Sequence, residues 1–290
     1  AAWMIDNLVQ PNGPRAGEAF RPTPGQVDFL VQFYGLDEGG GWLFHHGVRR
    51  LAKGSGKSPF VAAMCLFELL GPCRFGGWDE GSPFGVVGVR QSLPLVQVVA
   101  TAEAQTFNTM RMVRAFCPPR GRLRREYGLF VGKTFLEVED GGRLEQRASS
   151  FGTIEGGETS FTAADETEHW LPSRGGPELM ATIKQNASKN GARVVETCNA
   201  WRPGDESAAE RSFEDWVAQE EGRLRGEQRV LYDSVMAPAE AVLVDGDAVP
   251  AGRVGLDEAL RFVYADCPWA LESLQAKKEL IWSPSYSESR

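Results

Sequence analysis

Three histidines and five cysteines are all that this 290-residue chain offers for soft metal ligation. The cysteines (Cys65, Cys73, Cys117, Cys198, Cys267) are odd in number and contain no C-x-x-C pair, and two of the histidines, His45 and His46, are adjacent. Neither a zinc site of recognisable spacing nor a disulfide framework can be assembled from that set. A reduced, cytosolic setting fits best. Basic charge is also short, with 31 Lys and Arg against 39 Asp and Glu and a net charge of −8. No global field draws such a chain onto nucleic acid, so any contact with DNA or RNA must come from a local patch. No apolar run approaches the about 18 residues needed to cross a bilayer, and the N-terminus lacks a charged-then-apolar signal. These absences predict a soluble, intracellular protein with no membrane partner. At 42% hydrophobic residues the chain can bury a sizeable core, as one large domain or a main domain with a smaller appendage.

One further absence sits inside a motif. The stretch RRLAKGSGKSPFVAAM, Arg49 to Met64, carries the second half of a phosphate-binding loop in Gly56, Lys57 and Ser58. The opening glycine of G-x-x-x-x-G-K-[ST] belongs at position 51, which holds Leu51. The context supports the motif nonetheless. WLFHHGV reads as a strand entering the loop, and SPFVAAMCLFELLG is apolar on nearly every side and ends at Gly71, as a core helix does. Pro59 is tolerable in a first turn that needs no internal N–H donor. Gly54, Ser55, Gly56, Lys57 and Ser58 can turn their backbone amides toward phosphate oxygens, with the helix N-terminus adding partial positive charge. Lys57 is placed to reach the β- and γ-phosphates and Ser58 Oγ to bind Mg²⁺. Lys53 is a candidate cis cation for charge on the departing phosphoryl group. For Arg49 and Arg50 the plain expectation is solvated surface charge.

A phosphate loop needs acids. TSFTAADE predicts a strand ending in Asp165, to hold the metal shell, and Glu166, to polarise water. Rival strand-end acids are Asp245 in VLVDGD and Asp266 in RFVYAD, neither followed by Glu. The strand ARVVETCNA ends in Thr197, Cys198 and Asn199, polar groups suited to a place beside the γ-phosphate. Elsewhere the chain alternates. Residues 1–24 read as an extended arm, and a helix follows with Val27, Leu30, Val31 and Tyr34 at helical spacing. VGVRQSLPLVQVVATA contains a short apolar strand ahead of the helix EAQTFNTMRMVRAF, and KTFLEVED with RLEQRAS flank Gly141-Gly142 as a hairpin. A helix is predicted around Pro177 to Ala187, ESAAERSFEDWVAQEEG is an acidic amphipathic helix, and RVLYDSVMA is one more strand. Beyond about residue 238 the pattern changes, with PWALESLQAKKELIW as a helix. Strands alternating with helices predict a mainly parallel sheet flanked on both faces, with ligands at the carboxyl ends of its strands.

In combination, four stretches resemble the ATPase portion of a tailed-bacteriophage terminase large subunit, over roughly residues 20 to 235. PTPGQVDFL resembles the adenine-recognition segment, which sets Gln26 against the base. AKGSGKS resembles the family's deviant phosphate loop, which commonly carries arginine where Lys53 stands. TAADETEHW resembles its acidic pair followed by an aromatic, and VETCNAWRPGDESAAE its coupling motif, with Thr197 and Asn199 at matching positions. The resemblance implies an α/β P-loop NTPase of the additional-strand type with a small C-terminal linker subdomain: an ATPase domain over 1–238 and a linker over 239–290. It implies ATP and Mg²⁺ at the site, and a motor that moves double-stranded DNA into a procapsid in the host bacterial cytoplasm. Partners so implied are the portal protein, the small terminase subunit and further copies in a ring. The metal-dependent nuclease domain of such subunits is expected to be absent from this chain, with no DNA cleavage.

Three other readings are open at this stage. A helicase would need further arginine motifs, for which Arg211, Arg223 and Arg225 are candidates. A nucleotide-dependent switch would bind without turnover. A small-molecule kinase would need an acceptor pocket and a mobile lid, and the Arg120, Arg122, Arg124, Arg125 cluster is its candidate for holding a phosphorylated acceptor. With Arg111 and Arg114 on the preceding helix, that cluster is read as a DNA- or subunit-facing patch.

Overall fold

The protein is described here by a computed structural model covering residues 1–290 except 14, 83, 149–157, 225–228 and 284–290. The first 24 residues are not simply extended. Ala2–Asn7 forms a short helix, α1, because Met4 and Leu8 bury in the main core and Trp3 packs on Phe67 at 5.5 Å between ring centroids. The second helix, α2 (Pro24–Phe33), starts where a capping box permits: the Thr23 hydroxyl accepts from Gln26 N, and Gln26 Oε1 accepts from Thr23 N.

The first strand, β1 (His46–Arg50), lies later than the WLFHHGV run suggested and includes both arginines. Arg49 is not solvated. It is 3% exposed, pairs with Asp233 at 2.7 Å, and lays its guanidinium over Phe29 and Phe60. Arg50 stacks on Trp201 at 4.1 Å. Aromatic faces and a carboxylate remove the cost of burying a guanidinium, and a sequence pattern shows none of them. Helix α3 (Lys57–Leu70) then crosses to a hairpin, β2 (Arg74–Trp78) and β3 (Val86–Val89), which the sequence did not suggest.

Next come β4 (Leu95–Ala100), α4 (Glu103–Phe116), α5 (Arg122–Glu126), β5 (Phe130–Val131), β6 (Phe135–Glu137), β7 (Arg143–Ala148), β8 (Phe161–Ala164), α6 (Gly176–Asn190), β9 (Arg193–Cys198), α7 (Ala208–Glu220) and β10 (Val230–Ser234). Eight strands form one sheet in the order β10-β1-β9-β8-β4-β7-β6-β5. The pairs from β10 across to β7 are parallel, and β6 and β5 close the edge antiparallel. Thus the expected β6–β7 hairpin forms, with β7 also joining β4 in parallel.

The largest core gathers α1, α2, α3 and α4 with the sheet, and ten of the fourteen residues of α3 are buried. At about 1.5–3 kcal/mol per large apolar side chain buried, this helix is a principal anchor of the fold. A second core around Trp170 packs α6 against Val99, Ala164 and Val194. Beneath α3 the fully buried Arg193 pairs with Glu68 at 2.8 Å, donates to Phe33 O, and sits 3.8 Å from the Trp42 ring centroid.

After β10 the chain forms α8 (Leu256–Val263), α9 (Pro268–Leu271) and α10 (Leu274–Trp282). The single helix expected over PWALESLQAKKELIW is broken at Glu272 and Ser273. Among the described residues no strand precedes Asp245 or Asp266 directly. Asp245 accepts from Asp257 N and pairs with Lys278, while Asp266 caps the start of α2 through the Thr23 hydroxyl and Gly25 N. Both rivals to Asp165 are therefore structural.

Candidate functional site

The parallel strands β1, β8 and β9 end at one edge of the sheet. Register pairs Arg50 with Cys198 and Ala164 with Glu196, so Asp165 emerges beside Thr197, and Leu51 one step further along, where its N–H donates to Cys198 O. Above that edge lies a cavity of about 740 Å³ whose wall includes Gln26, Lys53, Gly54, Gly56, Lys57, Ser58, Asp165, Glu166 and Asn199. The structure thus brings together residues that the sequence spreads over 174 positions, from 26 to 199. Ser55 and Thr197 are not on the wall. Both are buried, Ser55 with no partner for its hydroxyl among the described residues and Thr197 bonded to Asp165.

The loop has the backbone a phosphate nest requires. Gly54 (φ 87°) and Gly56 (φ 80°) are left-handed, and Gly56 is the N-cap of α3 with no side-chain cap. The first-turn amides of a buried fourteen-residue helix therefore lack a side-chain acceptor, as at anion sites. Lys57 is folded onto its own loop. Its Nζ donates to Leu51 O (2.7 Å), Ala52 O (3.1 Å) and Asn199 Oδ1 (2.7 Å). Burial lowers its pKa, against the pull of nearby acids led by Glu168.

Asp165 is 3% exposed and accepts Thr109 Oγ1 at 2.5 Å on one oxygen and Thr197 Oγ1 at 2.7 Å on the other. Burial raises its carboxyl above the usual range, while the two hydroxyls and Lys57 oppose that rise. No cation of the described residues forms an ion pair with it. Glu166 has a left-handed backbone (φ 55°), unusual for a residue with a Cβ and worth about 1–3 kcal/mol of strain. Its neighbours hold it there: Asp165 N donates to Val99 O, Trp170 Nε1 donates to Asp165 O, and Thr167 Oγ1 donates to Glu196. Burial, then the charges of Asp165 and Glu168, raise the Glu166 pKa.

Several contributors escaped the sequence reading. Glu168 is 7% exposed, accepts from Asn199 Nδ2, and keeps its other oxygen without a partner among the described residues. Its signal was present in DETEHW, as a third acid one turn on. Fully buried Trp170 anchors the acidic corner. Thr109 carried no signal, because its role depends on how α4 packs. From the C-terminal segment, Tyr264, Trp269 and Cys267 donate to Lys53 O (2.7 Å), Gly54 O (2.9 Å) and Ser55 O (3.5 Å), gripping three successive loop carbonyls.

The arginines of the expected patch divide, with Arg120, Arg122 and Arg125 exposed at the surface. Arg114 donates to Lys133 O, Arg122 pairs with Glu126, Arg124 donates to Cys117 O, and Arg111 lines the cavity. Arg211 and Arg223 pair with Glu206 and Glu221, and Arg225 lies outside the described residues. The cavity wall carries five Lys or Arg (Arg15, Arg21, Lys53, Lys57, Arg111) against three acids (Asp165, Glu166, Glu272), in a chain of net charge −8. Local charge of that sign suits a polyanion.

A strand inserted between the loop strand β1 and the acidic strand β8 is the mark of the additional-strand P-loop NTPases, and this sheet has it in β9. The class is therefore an α/β P-loop NTPase fold, mainly parallel and flanked by helices. Comparison with known proteins narrows this. The chain has the fold of a phage large terminase: it is similar to the HK97 bacteriophage large terminase with a TM-score of 0.68 at 14% identity, covering 99% of this chain and 52% of that one. It is also similar to the large terminase ATPase domain of Thermus phage P74-26, with a TM-score of 0.50 at 10% identity over 92% of this chain and 91% of that domain. In sequence it is 31% identical over 284 residues to the Gene 13 protein of Mycobacterium phage D29, and 31% over 264 residues to that of phage L5. Those matches cover 93% and 86% of this chain, which spans about half the length of the curated relatives (47% and 44%). No family model matches. The resemblance to tailed-phage large terminases is borne out by these relatives and structures together.

Proposed function

We propose that this chain is the ATP-hydrolysing motor domain of a phage DNA-packaging terminase, coupling hydrolysis of the β–γ bond to movement of double-stranded DNA into a procapsid. The observation that carries the reading is the meeting, in one cation-rich cavity, of an uncapped helix N-terminus with Lys57, Asp165, Glu166 and Asn199. The amides of Gly54 to Ser58 bind the phosphate tail, and Lys57 exchanges its loop carbonyls for phosphate oxygens. Gln26 faces the base end, with its Nε2 turned toward Gly56. Mg²⁺ fits the residues present, because Asp165 is a buried carboxylate without a cation and Ser58 lines the same wall. Such an ion, when bound, neutralises phosphate charge and orients the chain for in-line attack.

Glu166 then acts as the general base. Its raised pKa moves it toward the working pH, where a base is most effective. Lys53 supplies cis positive charge, and Asn199, bonded to Lys57 on one side and Glu168 on the other, is placed to report the state of the phosphate. By likeness to terminases, the working assembly is a ring of copies at the portal, with the small terminase subunit as a partner. We assign this chain no DNA cleavage, and Mg²⁺- or Mn²⁺-dependent nicking of plasmid by the purified protein would overturn that.

The test is Glu166→Gln. Nucleotide affinity should stay within a few-fold of wild type while hydrolysis falls roughly 10²–10⁴-fold. A wild type that binds ATP but never turns it over, alone or with DNA, would convert the reading to a non-hydrolysing switch.

A further inference from the structure

Helix α4, which packs against α3, contributes part of the cavity wall. Asn108, Arg111 and Met112 line the cavity at i, i+3 and i+4 spacing, so they form one face of that helix. The helix is fixed on either side of this face. Thr109 bonds Asp165 at 2.5 Å, and Phe116 meets Phe20 edge-on at 5.2 Å between centroids. Arg111 therefore lies on the turn between the acidic corner and the Phe20–Arg21 segment. Its guanidinium makes no hydrogen bond, ion pair or ring contact among the described residues. Arg114, one turn on, is committed to Lys133 O and the Phe107 ring.

We propose that Arg111 is a cis-acting contact for the nucleotide's phosphate chain, reaching it from the α4 side of the same cavity. This deepens the nucleotide reading above and rests on it. A free guanidinium presents a planar fork of donors that matches phosphate at two points. The loop itself offers only lysines, Lys53 and Lys57, which act as point charges. Arg111 supplies the two-point contact the loop lacks. Because α4 is tied to Asp165 through Thr109, the same contact positions the phosphates relative to the acidic corner.

The experiment compares wild type, Arg111→Gln and Arg111→Lys, with Arg120→Gln as a control for lost surface charge. ATP affinity is read by displacement of a fluorescent ATP analogue, kcat/KM by phosphate release, and folding by thermal denaturation. Arg111→Gln should weaken ATP and lower kcat/KM by roughly tenfold or more, the size expected for a lost hydrogen bond to a charged group. Arg111→Lys should recover part of the loss, and Arg120→Gln should match wild type. Inorganic tripolyphosphate, which has no base, should compete in wild type and weaken in Arg111→Gln by the same factor as ATP. Folded Arg111→Gln that equals wild type in affinity and kcat/KM overturns the inference alone. So does a loss of ATP affinity with tripolyphosphate unchanged, which would move the contact to the base or ribose. If wild type itself binds no ATP, the nucleotide reading falls and takes this inference with it.

Discussion

Replacing Thr197 by valine keeps the shape of the side chain and removes one hydroxyl from a buried carboxylate. The wild-type Asp165 accepts two hydroxyl bonds, from Thr197 at 2.7 Å and Thr109 at 2.5 Å, and these offset part of the cost of burying its charge. A hydrogen bond to a charged group contributes about 1.5–3 kcal/mol. Thr197→Val should cost that much where Asp165 is ionised and much less where it is protonated. The sign follows from proton linkage. Burial raises the folded pKa of Asp165 above its unfolded value, so the folded state holds the extra proton and stability falls as pH rises through the folded pKa. Removing a hydroxyl raises that pKa further and extends the loss to higher pH. Urea denaturation of both proteins at about pH 5 and about pH 8 measures the difference directly, and the gap between them should widen at the higher pH. An equal gap at both values, or one under about 0.5 kcal/mol at the higher, would refute the claim that these hydroxyls hold a charged Asp165.

Because burial and the acids beside it raise Glu166, hydrolysis should decline on acidification from above the ordinary glutamate range, a limb that pH–rate profiles of Glu166→Gln should lack. Gly54→Ala and Gly56→Ala both force a side chain into left-handed backbone, at about 1–2 kcal/mol each. Gly56→Ala should weaken ATP binding more, since its Cβ would lie 3.0 Å from Trp269, whereas nothing lies within 4 Å of that on Gly54. Arg193→Met should lower stability by about 1.5–3 kcal/mol in denaturant, because the fully buried Glu68 loses one charged hydrogen bond while keeping Arg74 at 2.6 Å; a change under about 0.5 kcal/mol would show the pair to be neutral.

Periodicity and local chemistry made much of the scaffold legible. The apolar SPFVAAMCLFELL run became α3, EAQTFNTMRMVRAF became α4 residue for residue, and ARVVETCNA contained β9. The short spacing of Gly56, Lys57 and Ser58, and of Asp165 with Glu166, sufficed to mark a candidate site, because the backbone itself holds near neighbours together. What sequence could not supply were contacts between residues far apart along the chain. Arg49 looked like surface charge until Asp233, Phe29 and Phe60 surrounded it. Arg111 looked like part of a basic patch until the packing of α4 turned it into the cavity. Thr109 on Asp165, and Trp269 on the loop carbonyls, are bonds across 56 and 215 positions. Local pattern determined most of the helices and strands, though not α1 or the β2–β3 hairpin, since those choices rest on neighbours within a turn or two. Only the tertiary structure decided which charges are buried and which face the cavity, since that depends on what the other end of the chain brings against them.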